Sequence, residues 1–162
     1  MKKLLWGLIM LCFYSSCSHN TTLQEKFNEF KNEDYAVFND LSITYRRNVY
    51  MVSYHDIVYA IRTNYITKNI DSIKKVHSGE MEITLSKKDI TYIEDVIKKF
   101  ETLGFMSISV DEFRNVFLSF SWDQKCTYYF LKLSSKNTLN DIKRTYYEAY
   151  ENNWYFEKRC SE

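Results

Sequence analysis

Residues 42–69 read SITYRRNVYMVSYHDIVYAIRTNYITKN, and helix and strand signals compete along this stretch. Tyr50, Tyr54, Ile57, Val58, Ile61 and Tyr65 recur at the spacing of one helix face. Tyr, Val and Ile are also strand formers, and Ser42 to Tyr45 alternates polar with apolar. The spacing predicts a helix over 49–66. A shorter amphipathic piece follows at Ile70, Ile73 and Val76.

On the N-terminal side, Thr22-Leu-Gln-Glu25 has the form of a capping box, in which Thr accepts from the amide three residues on and Glu reaches back. Leu23, Phe27, Phe30, Val37, Phe38 and Leu41 then predict a helix over 23–41. On the C-terminal side, Met81, Ile83 and Leu85 alternate with Glu80, Glu82 and Thr84, which predicts a strand with one buried face. Ser86 to Asp89 is a second capping box, and Ile90, Ile93, Ile97 and Phe100 form the stripe of a helix over 87–103. Gly104 stands where a left-handed cap ends such a helix. Alternating runs at 106–110, 116–122 and 126–133 predict an antiparallel meander. Leu139, Ile142, Tyr146, Ala149 and Tyr150 suggest a short helix, and 154–158 a last strand. The predicted fold is α+β: N-terminal helices, then strand-helix and an antiparallel sheet of about four to five strands.

Composition narrows the function. Of 162 residues 45% are hydrophobic and 17% aromatic, the profile of a folded domain and not of a disordered chain. Three glycines and no proline leave no G-x-G-x-x-G fingerprint, P-loop or G-x-S-x-G elbow. The three histidines, His19, His55 and His77, form no i, i+4 pair, and no Cys-x-x-Cys occurs, so no metal or cofactor motif is expected. A net charge of +1 argues against nucleic acid as a partner.

The N-terminus carries the sharpest signal. Lys2 and Lys3 precede an apolar run from Leu4 to Tyr14 and then Ser15-Ser16-Cys17. A positive start, a short apolar core and small residues at the break make a secretory signal. The run is shorter than the roughly 20 residues that span a bilayer. The segment resembles a bacterial lipoprotein signal peptide, although Tyr14 departs from the usual Leu or Val three places before the cysteine. The resemblance implies that residues 1–16 are removed, that Cys17 is lipidated, and that residues 17–22 tether a single globular domain over 23–162. With Ser18 rather than Asp after the cysteine, it implies an outer-membrane anchor facing the periplasm.

Within the domain, Cys126 and Cys160 are candidates for a disulfide, which an oxidising periplasm permits. A nucleophilic Cys126 would need a base, and only His55 and His77 are available. His55-Asp56 reads as a surface pair. Glu80 and Glu82 would lie about 7 Å apart on one strand face, a glycosidase-like separation that a solvated face also produces. Asp111/Glu112 is a second such pair of acids, and the Lys and Arg pairs read as solubility charges.

Aromatic residues are the most unusual feature, with 14 Tyr and 11 Phe. Tyr and Trp suit interfaces because they join apolar area to a polar tip. Tyr129, Tyr147 and Tyr155 are the candidate contact surface. The expected role is a lipid-anchored envelope protein that binds another envelope or incoming protein, as an accessory or immunity-like domain. Glycan or small-ligand binding is the alternative and requires a pocket lined by several rings. A hydrolase comes third.

Overall fold

The computed structural model describes residues 22–77, 85–121 and 125–161. The chain divides into two units, Met1–Glu33 and Asp34–Glu162. The described part of the first is α1 (Leu23–Phe30), opened by the Thr22–Glu25 capping box. Phe27 and Phe30 meet edge-on on its apolar stripe, with ring centroids 5.4 Å apart. The helix does not continue to residue 41. In the second unit the Asp34 side chain takes the Ala36 amide at 2.9 Å, a local bond that competes with helix, and only a 3-10 turn forms at Ala36–Phe38.

Among the described residues the second unit forms one antiparallel sheet of nine strands: β1 (Leu41–Arg46), β2 (Val49–Tyr54), β3 (Ile57–Thr63), β4 (Ile70–His77), β5 (Ser107–Val110), β6 (Val116–Ser121), β7 (Cys126–Lys132), β8 (Glu148–Glu151) and β9 (Trp154–Cys160). Their order is β4-β3-β2-β1-β5-β6-β7-β9-β8. Between β4 and β5 runs α2 (Lys87–Leu103), which returns the chain from the sheet edge to the free side of β1. This architecture replaces the expected α+β fold with N-terminal helices and a sheet of four to five strands. Among the described residues there are two short helices, and the sheet is about twice the expected size.

The difference arises mainly at 49–66. The predicted helix is the β2–β3 hairpin, with Tyr54 opposite Ile57, and a second hairpin joins β1 to β2, with Arg46 opposite Val49. The two-residue turns of these hairpins, Arg47-Asn48 and His55-Asp56, hold all four residues at φ between 49° and 62°. Paired positive φ is the backbone of a type I′ turn, which suits the twist of a hairpin. Glycine normally marks such turns; here Asn and Asp accept the left-handed region instead. The helical spacing is a by-product of the hairpin. Partners facing each other across a two-residue turn are three apart in sequence, and alternate strand residues are two apart. Tyr50, Tyr54, Ile57 and Ile61 therefore share a sheet face while imitating the i, i+4, i+7, i+11 stripe of a helix.

Directly paired residues point to the same face. One continuous apolar row crosses seven strands: Tyr59, Val52, Ile43, Ile108, Leu118, Phe130 and Phe156. Helix α2 covers this face with Ile93, Val96, Ile97 and Phe100, all buried. Its limits agree with the sequence: Ser86 and Asp89 form the reciprocal cap, and Gly104 ends it at φ 67°. The Ser86 hydroxyl and amide hold the Asp89 carboxyl below its usual range. The Tyr54 hydroxyl also donates to Asp89, at 3.1 Å, and the Tyr92 hydroxyl donates to the Val37 carbonyl at 2.8 Å.

The opposite face of β6, β7 and β9 carries a smaller core of Leu131, Leu133 and Tyr147, against which Phe117, Tyr129, Leu139, Ile142 and Tyr155 pack. No helix forms over 139–150. Thr138 and Asp141 exchange cap-like bonds, but Lys143 turns left-handed at φ 53° and the chain proceeds by turns into β8. The predicted strand at 80–85 falls almost wholly outside the described residues.

Candidate functional site

Antiparallel register brings four separate segments to one end of the sheet. The β1–β2 turn, the β3–β4 connection, the last turn of α2 and the start of β5 all lie there, because Arg46 pairs with Val49 and Thr44 with Ser107. The connection over 64–69 is built on Asn64. Its amide donates to the Asn69 carbonyl at 2.8 Å, and its side-chain oxygen accepts from the amides of Ile66 and Thr67 at 2.9 and 3.0 Å. Such an Asn-centred turn fixes a loop without glycine. It leaves Tyr65 and Ile66 exposed at 87% and 86%, and it holds Lys68 at φ 59°.

Between these segments is a pocket of about 340 Å³ lined by Tyr45, Asn48, Tyr50, Thr63, Tyr65, Lys68 and Glu101. Tyr45 and Tyr50 bring their rings to 4.8 Å, and Tyr50 meets Phe100 of α2 edge-on at 6.2 Å. The Tyr45 hydroxyl donates to Asn48 Oδ1 at 3.0 Å. Glu101 Oε1 accepts from the Tyr50 hydroxyl and lies 3.0 Å from Lys68 Nζ. Lys68 Nζ is also 5.1 Å from the centre of the Tyr65 ring. Burial, and next the Glu101 carboxylate, hold the Tyr50 phenol above its usual value, which extends its protonated form further into the alkaline range. No family model, curated protein or solved structure matches this chain.

The pocket residues are groups suited to holding a polar molecule. The rings offer flat apolar faces, Asn48 and Thr63 offer neutral hydrogen bonds, and Lys68 and Glu101 offer one charge of each sign. One more apolar side chain stands at the same end. Met106 accepts from the Tyr45 amide through its carbonyl at 2.9 Å, and its exposed side chain adds to the rim that Tyr65 and Ile66 begin.

The residues singled out in the sequence lie elsewhere. Tyr147 is buried in the smaller core, with Tyr129 and Tyr155 half-buried against it. Arg159 covers the Tyr129 ring at 4.8 Å. Tyr129 is on β7, Tyr155 on β9 and Tyr147 just before β8, far along the sheet order from β1–β4. Cys126 and Cys160 face each other in register and are joined as a disulfide with Cα atoms 4.0 Å apart, so Cys126 is not a thiolate. His55 and Asp56 form a hairpin turn. The Asp111 carboxylate accepts from the amides of Phe113 and Asn115 and from the Asn115 side chain, which fixes the β5–β6 turn. Cys17, Glu80 and Glu82 lie outside the described residues. Among the described residues no three His, Cys, Asp or Glu side chains gather in a way that could hold a metal ion.

The sequence reading missed the pocket for a topological reason. Its residues come from positions 45–50, 63–68 and 101, and a helix over 49–66 would have separated them. The usable signal was Asn48 and Asn64, placed after strand-forming runs where a left-handed or Asn-centred turn fits.

Proposed function

We propose that this chain is a lipid-anchored protein of the bacterial envelope that binds a small polar ligand of the saccharide class at this end of the sheet. The pocket carries the reading. Its volume of about 340 Å³ falls within the span of roughly 300–1,000 Å³ that ligand sites occupy. Three tyrosine rings beside Asn48, Thr63, Lys68 and Glu101 offer what a sugar presents in return: apolar C–H faces and a ring of hydroxyls. The Cys126–Cys160 bond supports an oxidising compartment.

Calorimetric titration of the full-length, lipid-bearing protein in mild detergent against a panel of mono- and disaccharides tests the binding. Saturable binding is expected, and Tyr65→Ala should weaken it on the order of tenfold, since a hot-spot aromatic is worth more than 1 kcal/mol. No heat from any saccharide would overturn the reading. The anchor is tested separately: Cys17→Ala should move the protein out of the membrane fraction, and retention there would contradict lipidation.

A second reading rests on the rim. Tyr65 and Ile66 are large, apolar and nearly fully exposed, with Tyr45 and Met106 at the same end. Such a patch also fits another envelope or incoming protein. An affinity pull-down from the native envelope that yields one stoichiometric partner, lost in Tyr65→Ala with Ile66→Ser, would favour it.

A further inference from the structure

We propose that the pocket selects ligands that carry an ammonium group, an amino sugar above all, and that Lys68 holds the ligand's place in the free protein. The inference rests on the saccharide reading and specifies which saccharides. Its basis is the position of Lys68 Nζ, 3.0 Å from Glu101 Oε1 and 5.1 Å from the Tyr65 ring centre. A carboxylate beside an aromatic face is the environment that recognises organic cations.

The helix adds to that demand. The last turn of α2 contains Glu101 and no basic residue, although a helix C-terminus favours positive charge. The cation beside Glu101 comes from outside the helix, from Lys68 of the β3–β4 connection. Glu101 is the poorer for losing it, because its Oε1 otherwise has only the neutral Tyr50 hydroxyl among the contacts described.

Lys68 is a replaceable occupant. It sits on a solvent-facing turn, at φ 59°, in a backbone region that L side chains enter at a cost. Its side chain is one-third exposed, and its four-carbon stem can swing clear without moving β3 or β4. An incoming ammonium would take the Glu101 carboxylate and the faces of Tyr65 and Tyr45. The sugar ring would then lie against Asn48 and Thr63. No bond forms or breaks; one cation replaces another.

The test compares glucosamine with glucose, which differ at one position, on full-length protein, with methylammonium as the smallest cationic probe. Glucosamine should bind at least tenfold more tightly than glucose. Lys68→Asn removes the competitor and suits the left-handed backbone, so it should raise glucosamine affinity severalfold and widen the preference for glucosamine over glucose. Glu101→Gln should abolish the preference for glucosamine. Equal affinity for the two sugars overturns this inference and leaves the saccharide reading standing. Binding of methylammonium, strengthened by Lys68→Asn, without binding of either sugar supports the cation site and overturns the saccharide reading. Failure of all three probes overturns both.

Discussion

Phe130→Ala is expected to destabilise the protein by about 3–5 kcal/mol, the range for emptying a fully buried aromatic site. Phe130 is 0% exposed, on β7 in the apolar row that crosses seven strands. Its ring stacks on Phe120 at 5.9 Å, meets Phe156 at 5.2 Å, and is met edge-on by Tyr150 at 5.3 Å and Trp154 at 6.4 Å. Each such pair is worth about 0.5–1.5 kcal/mol beyond area burial, and one truncation removes all four. β7 cannot close over the gap, because β6 and β9 flank it on both sides. Phe113→Ala provides the contrast. That ring is 49% exposed on the β5–β6 turn, and its removal should stay within about 0.5 kcal/mol. Urea unfolding followed by tryptophan fluorescence measures both. A Phe130→Ala variant within 1 kcal/mol of the parent would show that this row is not the core.

Removing the disulfide should be nearly as costly. Cys126 and Cys160 are 34 residues apart, and a loop of that length corresponds to about 3–4 kcal/mol in the chain-entropy account. The bond joins the first residue of β7 to the last of β9, and the Ser161 amide continues the ladder to the Lys125 carbonyl at 2.8 Å. β9 in turn is the strand neighbour of the edge strand β8. Cys160→Ser should therefore lower the urea midpoint and quicken amide exchange over 154–160 before it affects β1–β4. An unchanged midpoint, or uniform loosening of the whole sheet, would contradict this assignment.

Legibility in the sequence followed how local the determining interactions are. Helix α2 could be read from end to end, because its cap, stripe and stop lie within Ser86–Gly104 and each answers to a neighbour three or four residues away. The strands β5, β6 and β7 were also legible, since simple alternation survives where the turns between them are short. Residues 49–66 were not. A two-residue turn converts period two into an apparent period of 3.6, and with 3 glycines and no proline the chain lacks the usual punctuation. The error spread, because calling β2 and β3 a helix shrank the sheet to the strands on one side. Leu41, assigned to a long first helix, in fact opens β1 and pairs with Val110 of β5 in the middle of the sheet.

The candidate site was harder still. Tyr129, Tyr147 and Tyr155 drew attention because aromatics crowd the C-terminal segment, yet crowding in sequence there reflects a small second core. Tyr45, Tyr50 and Tyr65 are spread over twenty residues with no motif between them. They converge only because two hairpins turn at the same end of the sheet, and Glu101 reaches them only because α2 crosses back over that sheet. Nothing in local spacing encodes such a meeting.

The central claim is that ligand binds at this meeting of turns. Tyrosine-selective ring labelling of the full-length protein, followed by NMR during titration with glucosamine, tests it most directly. The account predicts shifts confined to Tyr45, Tyr50 and Tyr65, with Tyr128, Tyr129 and Tyr147 unmoved. Shifts centred on Tyr129, Tyr147 and Tyr155, or no shift at any ring, would contradict it.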